Sequence, residues 1–223
     1  MIKAVLFDLD ETLLVRHAAI RAFIGDQYAR HAAVLPGIGR DLFTTRFLAL
    51  EDEGRTPKTT VYPALAAELG IASSIAADLL ADYQALYPSY AVLSPGTAET
   101  LVALRAKGLK TGIVTNGSAV VQNGKIDTTG LRPLLDIVLV SEAEGLRKPD
   151  RRIFELALQR LNVAADEAIF VGDNPVVDVD GARTAGLLAV WYHSTTDWPD
   201  GLAPPGYAIT ALSEVITFCD EAD

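Results

Sequence analysis

Several things are scarce in this chain. Among its 223 residues there is one cysteine, Cys219, which excludes an intrachain disulfide and a cysteine-based zinc site and suits a reducing compartment. Basic residues are outnumbered: 19 Lys and Arg against 29 Asp and Glu give a formal net charge of -10, with a pI near 4.7. Nucleic acid is held by basic surfaces that neutralise its phosphates, so a nucleic acid polymer is not the expected partner. A small anion gripped by a few local cations remains compatible. Long apolar runs are missing too. None approaches the ~18 to 20 residues of a membrane span, and no basic segment followed by an apolar stretch opens the sequence. The expectation is a soluble, cytoplasmic protein without a membrane partner, monomeric or homodimeric.

What is present is a hydrophobic half. With 50% hydrophobic residues and a mean hydropathy of +0.24, the chain can bury one large core, or a core and an insertion. Residues 3–7 form a short apolar run ending in acid, which reads as a strand covered on both faces. From residue 16 to about 90 the spacing turns helical: Ile20, Phe23, Ile24 and Tyr28, then Leu42, Phe47 and Leu48, then Leu65 and Leu69, then Leu79, Leu80 and Tyr83. Breaks at Pro36-Gly37, at 54–57 and at Gly70 divide it into about four helices. Beyond Ser94-Pro95-Gly96 the pattern predicts strands over 110–115, 136–140, 168–171 and 188–191. Helices are predicted over 96–107, 118–127, 150–161 and 178–185. This alternation predicts an α/β fold with a doubly wound, Rossmann-like parallel sheet.

In such a sheet the ligand crevice lies at the carboxyl ends of the strands. Those ends carry Asp8 and Asp10, then Thr115-Asn116-Gly117, then Lys148-Pro149, then Gly172-Asp173-Asn174. One polar strand end is ordinary. Four that offer acid, hydroxyl, ammonium and acid point to a site.

In this order the residues resemble the haloacid dehalogenase-like hydrolase superfamily. FDLDET at 7–12 looks like its first motif, VTNG at 114–117 its second, Lys148-Pro149 its third and GDNPVVD at 172–178 its fourth. Glu11 stands where many members carry glycine. The resemblance implies the phosphatase branch with a type 1 helical cap, the cap being residues 16–93 and the catalytic core residues 1–15 and 94–223.

The chemistry can also be argued from the residues. Carboxylates two apart on an extended chain project to one side, so Asp8 and Asp10 address one centre. Their mutual repulsion calls for a cation or shared work. Asp8 is suited to attack phosphorus in line, and Asp10 to protonate the departing oxygen and then deprotonate water. Oxygen donors from Asp8 and Asp173, with the Asp10 carbonyl and waters, fit Mg²⁺, while Asp178 either ligates or orients a bound water. Lys148 is placed to offset phosphoryl charge, and Thr115 with the backbone of Asn116 and Gly117 to donate hydrogen bonds to phosphate. Gly117 and Gly124-Lys125 fall short of a P-loop, and no dinucleotide fingerprint follows the first strand. Trp191, Tyr192 and Trp198 read as packing residues. Arg16, His17 and Arg21, where the insertion begins, are candidates for contacting the organic part of a substrate.

The expected function is Mg²⁺-dependent hydrolysis of a small phosphomonoester, of nucleoside monophosphate or sugar phosphate type, through an aspartyl-phosphate. A phosphomutase, a 2-haloacid dehalogenase and a catalytically idle binding protein are the alternatives.

Overall fold

The computed structural model describes residues 1–35, 37–194 and 197–220; Pro36 of the expected break, and Thr195, Thr196 and the last three residues of the expected core, lie outside them. In chain order the elements are β1 (Ala4–Phe7), α1 (Arg16–His31), α2 (Arg40–Glu51), α3 (Lys58–Leu69), α4 (Ser73–Leu86), α5 (Thr97–Ala106), β2 (Lys110–Thr115), α6 (Ala119–Thr128) and β3 (Ile137–Val140). They continue with α7 (Ser141–Glu144), α8 (Arg151–Leu161), β4 (Ala168–Gly172), α9 (Gly181–Thr184), β5 (Leu188–Tyr192), β6 (Tyr207–Ile209) and α10 (Val215–Asp220). Two compact units result, Met1–Val15 with Val92–Asp223, and the inserted helical cap Arg16–Ala91.

The first unit is built on a sheet of order β3-β2-β1-β4-β5-β6 in which every neighbouring pair is parallel. The central strands β1 and β4 read as continuous apolar runs because both faces are covered, and every residue of each is buried. Helix α8 shows how the cover forms. Ile153, Phe154, Ala157, Leu158 and Leu161 make one buried stripe, and the Phe154 ring meets Phe170 of β4 edge-on at 5.0 Å. The side chain of Asp150 starts this helix by accepting from Arg152 N. Strand order reverses on either side of β1, so the crevice of the fold opens where β1 ends.

Three local features differ from the sequence reading. In place of a regular helix over 178–185, a wide π-type turn spans Pro175–Asp180 and leads into the four-residue α9. The edge strand β6 and helix α10 were not expected, because three residues between Gly206 and Thr210, and a six-residue terminal helix, carry too little periodicity to register. On α2, Phe43 and Phe47 form the buried pair while Leu42 is 50% exposed, so the apolar stripe is turned by one residue from the expected face.

The chain leaves and re-enters the sheet unit along one short ladder. Val15 N donates to Val92 O at 2.9 Å and Ser94 N to Leu13 O at 2.9 Å, with Thr97 Oγ1 donating to Leu13 O at 3.0 Å. The helical unit has its own core, in which Phe23 packs edge-on against Tyr83 and Tyr87, and Tyr83 stacks on Tyr87 at 4.9 Å. Two polar clusters lie inside it. Gln27 accepts from Tyr62 Oη at 2.8 Å and donates to Leu79 O at 2.8 Å. Glu51, 3% exposed, receives the Arg16 guanidinium and, at 3.1 Å, the Lys58 ammonium.

Candidate active site

The turn after β1 positions the first carboxylates. Asp8 N donates to Val171 O at 2.9 Å, which extends the β1–β4 ladder one residue past the strand. The backbone then reverses at Glu11, whose φ of 59° lies in the left-handed region where glycine is at ease. The Asp8 side chain faces Lys148, whose Nζ sits 2.6 Å from Asp8 Oδ1 and 2.6 Å from Asp178 Oδ1. That ammonium is 2% exposed and lies 5.2 Å from the centre of the Phe170 ring. Its backbone is clasped by Asn116, which donates from Nδ2 to Lys148 O and accepts at Oδ1 from Lys148 N, each at 3.0 Å. The Asn116 amide thus places the lysine.

Beyond β4, Asn174 caps the wide turn by accepting from Val176 N and Val177 N. The turn folds Asp178 back against Gly172, where a Cβ would stand 2.4 Å from that of Asp178; only glycine leaves the room. Asp178 Oδ2 accepts from Asn174 N at 3.0 Å. Asp173 is fixed through its carbonyl, which accepts from Trp191 Nε1 at 2.9 Å, and Thr12 Oγ1 lies 3.4 Å from its Oδ1.

Asp8, Asp173 and Asp178 each offer a carboxylate oxygen, and these atoms lie within 4.8 Å of one another. One lysine faces three acids. Burial pushes the Asp8 carboxyl up to about 7, with Lys148 opposing and Asp178 adding to the rise. Burial, then the Asp178 and Asp8 charges, push Asp173 up to about 8. Burial works to lower the Lys148 ammonium, yet Asp178 and Asp8 together hold it above its ordinary value. A cluster of hard oxygens short of positive charge is the donor set of a divalent cation such as Mg²⁺, so these residues fit one.

Asp10 stands apart from that trio. Its carboxylate receives Lys125 Nζ at 2.8 and 2.9 Å and Gln122 Nε2 at 3.0 Å. The same amide nitrogen lies 2.7 Å from Thr115 Oγ1. Gly117 N, an expected phosphate donor, donates to Ser141 Oγ at 3.0 Å. Of the three candidates in the insertion, Arg16 is buried against Glu51, His17 is half-buried and Arg21 is exposed. Gln122 and Lys125 escaped the sequence reading, although they interrupt the buried face of α6 formed with Val121 and Ile126; two polar residues on an apolar stripe were the available signal.

A parallel sheet that gathers three carboxylates and one lysine at its switch point defines a class: an α/β enzyme with an acidic crevice whose donors suit a divalent cation. The family follows from comparison. The sequence model for haloacid dehalogenase-like hydrolases matches residues 2–186, and the chain belongs to that family. It is 40% identical over 129 residues to the phosphoserine phosphatase of Thermus thermophilus, a stretch covering 58% of this chain and 50% of that protein. It is 32% identical over 208 residues to the glyceraldehyde 3-phosphate phosphatase of Methanopyrus kandleri, covering 85% and 83%. The chain spans about half the length of several curated relatives it matches. Among solved structures, the 2-haloacid dehalogenase of Pseudomonas syringae superposes with a TM-score of 0.74 at 29% identity, over the whole of both chains. No helix among the described residues is long and apolar enough to cross a membrane.

Proposed function

We propose that this protein is a Mg²⁺-dependent phosphomonoester hydrolase that works through an aspartyl-phosphate on Asp8. The observation that carries the reading is the meeting of Asp8, Asp173 and Asp178 within 4.8 Å around a single buried lysine. Asp8, Asp173 and Asp178 would hold the cation, and the Asp10 backbone carbonyl would be a further donor. When bound, Mg²⁺ supplies charge neutralisation for a phosphoryl group among carboxylates.

The remaining steps belong to the chain's own residues. An Asp8 oxygen attacks phosphorus, forming the P–O bond as the ester oxygen departs and takes a proton from Asp10. Lys148 offsets charge on the phosphoryl oxygens, and Thr115 and the Asn116 N–H donate to them. Asp10 then removes a proton from water, which attacks phosphorus and releases Asp8 and inorganic phosphate. The core motifs reach only the phosphate and the ester oxygen, so the choice of leaving group is assigned to the helical cap, with His17 and Arg21 as the candidates left once Arg16 is committed to Glu51. The substrate is a small phosphorylated metabolite of sugar phosphate or nucleoside monophosphate type. The relatives named above differ in substrate, and a triose phosphate and a phosphoserine are both small phosphomonoesters.

The test is a panel of phosphomonoesters and 2-haloacids assayed with and without Mg²⁺. Phosphate release that requires the metal supports the reading. Halide release without metal replaces it with the dehalogenase alternative, which uses the same Asp8 on carbon and has no task for Asp10. Phosphoryl return to product marks a mutase, and inertness towards the whole panel marks a binding protein.

A further inference from the structure

Asp10 has the most demanding task in the proposed reaction, since it must meet the ester oxygen first and a water later. Its side chain lies at the rim of the crevice, 22% exposed, with two free torsions. A carboxylate in that position would wander over several rotamers unless held. Here it is held by α6. Lys125 Nζ spans both oxygens at 2.8 and 2.9 Å, and Gln122 Nε2 adds a third contact to Oδ2 at 3.0 Å. Gln122 and Lys125 are one helical turn apart and so share a face. They are 2% and 3% exposed, which fixes them as firmly as the strands beneath.

We propose that Gln122 and Lys125 are the positioning residues of the proton-transfer step: Lys125 fixes the Asp10 carboxylate, and Gln122 couples it to the phosphate-binding hydroxyl of Thr115. The structure turns the NH₂ end of the Gln122 amide to Asp10 Oδ2, an oxygen that can accept from it while the other oxygen carries or gives up the acid proton. That NH₂ group also lies 2.7 Å from Thr115 Oγ1. The oxygen therefore accepts from Gln122, and among the described residues its own proton meets the Asn116 carbonyl, 3.5 Å away. The hydroxyl proton is left to a phosphoryl oxygen. One amide thus sets the direction of the phosphate donor and the place of the acid, and the two groups move together or not at all. A buried ammonium and amide that merely joined α6 to the β1 turn would account for the ion pair, but not for the shared contact with Thr115.

The inference rests on the phosphatase reading. Its test compares two esters in single-turnover formation of the phosphoenzyme with Mg²⁺: p-nitrophenyl phosphate, whose leaving group departs without a proton, and glycerol phosphate, whose alkoxide needs one. Loss of positioning is expected to slow the glycerol ester roughly 10 to 10²-fold in Lys125→Met. The p-nitrophenyl ester should stay within about 3-fold, since it needs little acid help. KM should hold, and Lys125→Arg should restore most of the difference. Gln122→Leu, which also releases Thr115, should raise KM for both esters and keep the leaving-group dependence; it serves equally if Lys125→Met does not fold. Equal losses on both esters, or none, overturn the assignment while leaving the phosphatase reading intact. A wild-type protein inert towards every ester overturns both.

Discussion

Remove divalent cations and raise the pH, and the crevice should turn against the fold. Without a cation, Asp8 titrates near 7 and Asp173 near 8, against an ordinary 3.8 for each. Between those values the folded state holds protons that the unfolded chain has released. Stability is therefore complete below about 4 and falls as pH rises through about 7 and 8. Each excess proton is worth ~1.4 kcal/mol per pH unit. One excess proton shared by Asp8 and Asp173 over two units costs roughly 3 kcal/mol, or about 10 °C in Tm for a chain of this size. The window is clean on its acidic side, because Glu51, Asp82, Glu167 and Glu214 have lowered values and have delivered their stabilisation by about pH 5. The assay is thermal unfolding in excess chelator from pH 5 to 8, for the wild type and for Asp8→Asn/Asp173→Asn. The wild type should lose stability relative to the variant as pH rises, Mg²⁺ should restore more at pH 8 than at pH 5, and calorimetry should detect proton release on metal binding. A wild-type Tm that runs parallel to the variant's across this range refutes the reasoning.

The other predictions concern turnover and the helical unit. Asp8→Asn should abolish turnover and leave no covalent intermediate detectable by mass spectrometry, whereas Asp10→Asn should retain the intermediate and lose roughly 10² to 10⁴-fold in rate. Chelation should remove phosphatase activity, Mg²⁺ should restore it, and Asp173→Ala should not respond to added Mg²⁺; full hydrolysis in excess EDTA contradicts the metal assignment. Glu51→Gln should destabilise the protein by roughly 3 kcal/mol in urea titration, because Arg16 and Lys58 then face one another without their shared counter-ion. A change below the error of the titration counts against the buried triad.

How much of this could be read from the chain differs by element. The positions of β1 and β4 are plain because a strand buried on both faces has no polar interruption, and the acid of Asp8 or Asp173 marks where each stops. The wide turn at Pro175–Asp180 was not legible: its winding depends on Asn174 capping two N–H groups and on Gly172 yielding room to Asp178, neither of which alters the apolar period. In the sequence Lys125 stands only beside Gly124 in an incomplete P-loop, since its partner lies 115 residues earlier in the chain and no local spacing links the two. The sequence points Asn116 to phosphate through its backbone; that its side chain clasps the Lys148 backbone depends on β2 and the loop after β3 ending side by side.

The ladder at which the chain leaves and re-enters the sheet unit makes the helical unit a loop in the thermodynamic sense. Because Val15 is tied to Val92 and Leu13 to Ser94, the sheet experiences everything between them as a single closure whose entropy grows only with the logarithm of its length. Doubling that length adds about 0.6 kcal/mol. The sheet and its four strand ends are thus nearly indifferent to the size of what is inserted there, and mutations, insertions and wholesale exchange of helices between Val15 and Val92 can accumulate without renegotiating the chemistry at Asp8. In this architecture the inserted helices and the residues at the strand ends are separately heritable pieces of one chain, and the ladder that closes the sheet unit is only a few hydrogen bonds long.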